Sequence, residues 1–236
     1  MLALTQGMMS LGASGGGGGD PDFASVVALL HFDGTNGSTT FADVRGLTWT
    51  ANGNAQLSTT NPRFGTACLL LDGSGDFALT STPSGFEFGT GDFTVEAWIR
   101  PANVSAFQDI FSNRSPAGGG MTFRITDSGF LDYFPGNAPI RLVGSTALTA
   151  NVYTHVAVSR ASGTTRLFIG GALDGSLSDS FNYAMSNGQS TDTAIGRSQL
   201  TASQFFDGRI DEMRVTKGVG RYTASFTPPT SPFPDS

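Results

Sequence analysis

Three glutamates (Glu87, Glu96, Glu212) and two histidines (His31, His155) are the side chains of this chain best suited to acid–base work. Retaining glycoside hydrolysis needs two carboxyl groups about 5–5.5 Å apart, one as nucleophile and one as acid. No two of the glutamates stand at a spacing that one strand could present together. Glu96 lies in Phe93-Thr94-Val95-Glu96-Ala97-Trp98-Ile99-Arg100, where strict alternation groups it with Thr94 and Trp98, opposite Phe93, Val95, Ala97 and Ile99. An aspartate from another strand would have to supply the second acid. His155, ahead of Val156-Ala157-Val158, reads as a hydrogen-bonded sheet residue. There is no G-x-S-x-G elbow, no phosphate-cradling loop and no Cys/His metal spacing. The expectation is a protein that is not an enzyme.

The rest of the composition narrows the class. Only 14% of residues are charged against a typical ~25%, while 32 are Gly and 19 are Phe, which suits short strands joined by Gly-rich turns around one core. The net charge of −6 comes with no Lys/Arg cluster, so a nucleic-acid surface is not expected. No apolar run reaches the ~18 residues of a membrane span. Cys68, the sole cysteine, excludes an intrachain disulfide and sits as a small hydrophobe in Ala67-Cys68-Leu69-Leu70-Leu71. With no basic segment at Met1–Gln6 to mark a secretory signal, folding in a reducing cytoplasm is expected.

The elements that must position any site follow from turns and alternation. Residues 1–24 form a Gly-rich arm, with five glycines at Gly15–Gly19 and a few apolar side chains suited to an anchor. Strands are predicted at Val26–Phe32, Phe64–Leu71, Phe77–Thr80, Phe93–Arg100, Ile110–Phe111, Met121–Ile125, Phe130–Phe134, Ile140–Val143, Val152–Arg160, Arg166–Ile169, Ala194–Gly196 and Phe205–Val215. Residues 161–165 read as a hairpin loop, Asp72-Gly73-Ser74-Gly75-Asp76 as a turn, and Ser84–Phe88 as a short helical turn. The Pro-rich stretch after residue 217 cannot pair as a central strand and reads as an extended surface strap over 218–236. The fold class is all-β, an antiparallel two-sheet sandwich or barrel.

Five segments, in order, carry a resemblance. They are Val27-Ala28-Leu29-Leu30-His31-Phe32-Asp33-Gly34, Phe64–Gly73, Phe88–Ile99, Tyr153-Thr154-His155-Val156-Ala157-Val158 and Phe206-Asp207-Gly208-Arg209-Ile210-Asp211-Glu212-Met213-Arg214-Val215. Over residues 25–217 the chain resembles the concanavalin A-like lectin/glucanase superfamily, in particular its laminin G/pentraxin-like modules. The leader into Asp20-Pro21-Asp22-Phe23 and the extension Thr216–Pro229 are similar to versions found in tailed-bacteriophage structural proteins. The resemblance implies a jelly roll of two antiparallel sheets on a virion assembled in the host cytoplasm. Its partners would be other virion proteins, met through residues 1–19, host-surface glycans and further copies of itself. The alternatives are a cellular carbohydrate-binding module and a glycoside hydrolase, although the Glu-x-Asp-x-x-Glu of laminarinase-like members is absent here.

The resemblance also implies sites. First and last strands are neighbours in such folds, and an Asp in an Ile-Asp-x-x-Arg-Val-like segment there often ligates structural Ca²⁺, which makes Asp33 and Asp211 the metal candidates. The bland reading gives Asp33 an Asx turn and Asp211 an arginine partner, Arg209 or Arg214. Sugar recognition would use an aromatic ring against a pyranose face, and Trp98, Tyr133, Tyr153 and Tyr183 are the candidates. Loops 112–120 and 182–193, rich in Ser, Asn, Gly and Thr, would form the rim.

Overall fold

A computed structural model describes residues 19–81, 83–115, 118–136, 141–184 and 192–236. Most of the predicted anchor, parts of both predicted rim loops, and Ile140 at the head of a predicted strand lie outside the described residues. Among those described, sixteen strands form two antiparallel sheets of eight. The first sheet contains β1 (Val26–Leu30), β4 (Gln56–Ser58), β5 (Cys68–Asp72), β7 (Phe93–Pro101), β12 (Thr154–Ala161), β13 (Thr164–Ile169), β14 (Ala172–Ser178) and β16 (Asp207–Lys217). Its order is β14-β13-β12-β7-β16-β5-β4, and β1 also pairs with β16. The second contains β2 (Thr40–Phe41), β3 (Trp49–Asn52), β6 (Phe77–Thr80), β8 (Gln108–Ser112), β9 (Met121–Ile125), β10 (Phe130–Pro135), β11 (Leu142–Ala147) and β15 (Thr193–Ile195). It is ordered β11-β10-β9-β8-β15-β6-β3-β2. The only α-helix described is the single turn Pro83–Phe86.

Alternation decides which side chains meet between the sheets. Phe93, Val95, Ala97 and Ile99 of β7 enter the core with Val156 and Val158 of β12, against Phe123, Ile125, Leu131 and Tyr133 of the second sheet. The β12–β13 hairpin is tighter than its sequence suggests. Ser162 and Gly163, at φ of 49° and 71°, make a two-residue turn whose left-handed pair matches the twist of the strands.

β16 shows how sequence forces an irregularity. Ile210, Met213 and Val215 belong inside, whereas Asp211, Glu212 and Arg214 carry charge. Plain alternation would bury Glu212 and Arg214 in the core. A bulge between Asp211 and Arg214, with Glu212 at φ 51°, inserts one residue and turns all three charges outward.

Residues 218–236 cross the outer face of the first sheet as an extended strap. Arg221 and Tyr222 donate backbone N–H groups to Thr94 Oγ1 (2.9 Å) and Ser159 Oγ (3.2 Å), and Phe226 N–H bonds Gly171 O at 2.8 Å. The Tyr222 and Phe226 rings stack at 3.7 Å, and Phe168 and His155 meet them edge-on.

Candidate functional site

The strap closes the outer face of the first sheet. Glu96 is fully buried there, receiving Arg214 Nε at 2.9 Å and Tyr222 OH at 2.7 Å, and facing His155 Nε2 at 3.1 Å. Burial works to raise its pKa, but Arg214, His155 and Tyr222 together hold the carboxyl well below the usual range. Arg214 and Arg221 also clamp Asp20, at 3.0 Å and 2.7 Å, and so pin the end of the N-terminal arm to the same face. Trp98 shares the face of Thr94 and Glu96, as alternation predicts, yet it is only 7% exposed, packed on Phe64, Arg63 and His155. It offers no open ring to a sugar.

Tyr133 and Tyr183 are corrections of a different kind. Both are fully buried in the core between the sheets, with their hydroxyls turned to Asp179. Tyr133 follows Leu131 on the inner face of β10, which leaves Asp132 and Phe134 outside. Tyr153 is half-buried and donates its hydroxyl to Asn61 O at 2.9 Å. The four predicted aromatics therefore do not form one surface.

Asp33 follows β1 by three residues and lies outside any strand, while Asp211 is in β16, the strand that pairs with β1. Both are taken up by one backbone loop. Asp33 accepts from the N–H and hydroxyl of Thr66 and from Ala67 N–H (3.3 Å), and Asp211 accepts from the N–H groups of Arg63 (2.7 Å) and Phe64 (3.2 Å). Calcium needs six to eight oxygen ligands, and carboxylates occupied by N–H donors do not fit that role. No group of three His, Cys, Asp or Glu able to hold a metal ion occurs among the described residues. Burial pushes the Asp211 pKa up to about 7, against the pull of those N–H donors. The arginine partners expected for it go elsewhere, Arg214 to Glu96 and Asp20.

The outer face of the second sheet is where polar groups gather without a cover of strap. Register places Asp109 (β8) opposite Arg124 (β9), and Arg124 opposite Asp132 (β10). Because cross-strand partners share a face, Ser112, Thr122 and Phe134 stand on that side too. Asp132 is fully buried and bridges two arginines, accepting from Arg124 Nε (2.9 Å) and from Arg141 Nε (2.8 Å) and Nη2 (2.7 Å). Arg124 bonds Gln204 Oε1 at 2.9 Å and lies 4.5 Å and 4.6 Å from the ring centres of Phe107 and Phe134. Arg114 lies 4.6 Å from Phe134. Further along the face, Arg197 covers Phe77 at 3.8 Å, and Phe205 stands beside it.

At the centre of this array, Asp109 is fully buried and neither carboxyl oxygen has a hydrogen-bond partner. Its backbone N–H bonds Gln204 O at 2.9 Å, so the loop before β16 folds over it. Burial pushes its pKa well above the carboxylate range; Asp132 adds to the rise, and Arg124 and Arg114 offset only part of it. Burial and the neighbouring Arg124 lower the Arg114 pKa, and Asp109 offsets part of the fall. The arrangement brings oriented guanidinium donors and an unsatisfied, buried carboxyl together on the outer side of the second sheet.

The sandwich places the chain among lectin-like jelly rolls. Residues 72–219 match the concanavalin A-like lectin/glucanases superfamily, and the chain belongs to that family. Domain 4 of AbnA, an extracellular arabinanase from Geobacillus stearothermophilus solved with arabinotriose, shares the fold with a TM-score of 0.62 at 18% identity, over 82% of this chain and 93% of that one. The binding domain of botulinum neurotoxin serotype D gives a TM-score of 0.62 at 16% identity, over 85% of this chain and 50% of that one. Botulinum neurotoxin type C, whose cell entry depends on two ganglioside molecules, gives 0.61 at 14% identity, over 84% and 49%. The chain thus spans about half the length of the toxin chains it matches. No curated protein matches the sequence.

Proposed function

We propose that this protein is a non-enzymatic, glycan-binding jelly roll, presented on a bacteriophage particle, whose binding surface is the outer face of the second sheet around Asp109, Arg124, Asp132 and Arg141. The observation that carries the binding reading is the buried, unbonded Asp109 carboxyl beside arginines that Asp132 holds in place. A fold does not stabilise itself with a partnerless carboxyl, whereas a ligand hydroxyl or acid group would satisfy it. The superfamily and the arabinotriose complex of the AbnA domain support a saccharide as that ligand. The non-catalytic part of the reading rests on Glu96, which is sealed under the strap with its oxygens occupied.

Presentation on a particle rests on the similarity of the Gly-rich leader and of the Thr216–Pro229 extension to phage structural proteins. Asp20, where the leader joins the fold, is clamped on the outer face of the first sheet, on the side of the sandwich away from the proposed binding surface. An anchor there would leave the arginine-bearing face free to point outward. Many copies on one particle would then raise the effective concentration of weak individual contacts.

A saccharide array probed with the purified protein and with Arg141→Gln tests the binding reading. Binding by the parent and its loss in a variant of unchanged fold is the expected result; equal binding by both would place the surface elsewhere. Deleting residues 2–19 should abolish attachment to the particle and leave the jelly roll folded, as read by circular dichroism.

A further inference from the structure

Resting on that reading, we infer that the surface selects acidic saccharides, binding the carboxylate of a uronic-acid-type unit between Arg124 and Arg141 rather than stacking a neutral sugar on an open ring. Three features favour the acid. The first is local charge. Arg124 and Arg141 converge on the single carboxylate of Asp132, in a chain with 13 basic and 19 acidic residues, so that two cations share one ion-pair partner there. Asp127 adds only a longer-range influence on Arg141.

The second is the way the rings are used. A neutral pyranose needs an uncovered aromatic face for its C–H groups. Here Phe107 and Phe134 each lie under a guanidinium at 4.5–4.6 Å, so the rings hold the arginines flat instead of meeting a ligand. The third is the set of donors left over. Arg124 spends Nε and Nη1 on Asp132 and Gln204, and Arg141 spends Nε and Nη2 on Asp132. Nη2 of the first and Nη1 of the second remain as charge-assisted donors fixed by one carboxylate.

The test compares polygalacturonate, alginate and hyaluronate with the carboxyl-reduced form of each, in binding to the whole chain by calorimetry or biolayer interferometry. At least one acid should bind, its reduced form at least tenfold more weakly, and added salt should weaken the acid alone. Arg141→Gln, at a position that is 46% exposed, should weaken the acid at least tenfold; because it also takes two hydrogen bonds from the buried Asp132, its circular dichroism spectrum and a cooperative melt above the binding temperature show that it is still folded. If a reduced polymer binds as well as its acid, the acidic preference is wrong while the saccharide surface stands. If neither form of any polymer binds and the saccharide array is also blank, both fall. If the acid binds but Arg141→Gln binds it equally, the assignment to these arginines is wrong.

Discussion

The two outer faces of the sandwich are built from the same materials, a carboxylate set among arginines and aromatic rings, and use them in opposite ways. On the first sheet, Glu96 has three side-chain partners, two of its arginine neighbours are shared with Asp20, and the strap rings of Tyr222, Phe226 and Phe233 lie across the whole cluster. On the second, Asp132 is equally well held, but the Asp109 carboxyl beside it has no hydrogen-bond partner and, among the described residues, no strap crosses the strands. The difference teaches that buried charge alone does not mark a binding surface. Under the strap the Glu96 carboxylate has its partners within the chain, although Trp98 Nε1 and His155 Nδ1 beside it are unbonded, whereas on the second sheet it is a carboxyl, Asp109, that is left over, and that is the face we propose for binding.

The contrast can be broken or sharpened by substitution. The largest effect is expected at Glu96. Glu96→Ala would leave Arg214 buried beside an incomplete set of partners, and denaturant unfolding should register a loss of about 3–5 kcal/mol. A loss below ~1 kcal/mol would mean that the strap-covered network does not hold the fold. Asp109→Asn should act with the opposite sign. Removing a partnerless buried carboxyl should raise stability near neutral pH by on the order of 1 kcal/mol. Its pKa is raised in the folded state, so folding takes up a proton, and the stability of the parent should fall as pH climbs above the ordinary carboxylate range of about 4. The variant should lose that part of the slope; Asp211, with a folded pKa of about 7, supplies a further part between about 4 and 7, and the raised Asp43 and Asp76 act in the same direction.

A smaller effect concerns the clasp of the strap. His31 bridges Glu212 (2.9 Å) and Asp235 (2.7 Å); its bond to Glu212 is the main cause that lifts its pKa from 6.5 to about 9. A raised histidine pKa contributes stability that is complete below 6.5 and disappears as pH rises through about 9. His31→Ala should therefore cost about 1 kcal/mol at pH 6 and close to nothing at pH 10. Arg141→Gln withdraws two of the three side-chain hydrogen bonds to the buried Asp132 and should also cost about 1 kcal/mol, against an at least tenfold effect on binding.

Much of the scaffold could be read from sequence because local chemistry fixed it. The alternation of Phe93–Arg100, the turn at Asp72–Asp76 and the prolines after Phe226 each admit few conformations, and the strands and strap follow from them. The site was less legible. Asp109, Arg124 and Asp132 stand on three strands, 8–15 positions apart, and their meeting depends on register, which no single segment specifies. One signal was available. In Phe130-Leu131-Asp132-Tyr133-Phe134, alternation already groups Tyr133 with Leu131 and sets Asp132 and Phe134 on the other face, which argues against Tyr133 as a surface ring. The bulge at Glu212 was similarly implied by three charges flanking Met213. The burial of Trp98 was not, since its cover includes Phe64 and Arg63 from a distant loop.

The location of the binding surface is tested most directly by amide and side-chain chemical-shift mapping of the labelled protein during titration with an oligogalacturonate. Shifts concentrated at Arg124, Phe134, Arg141 and Gln204, with Trp98, His155 and Tyr222 unmoved, are the predicted result. Shifts confined to the strap and the strands beneath it would contradict the account.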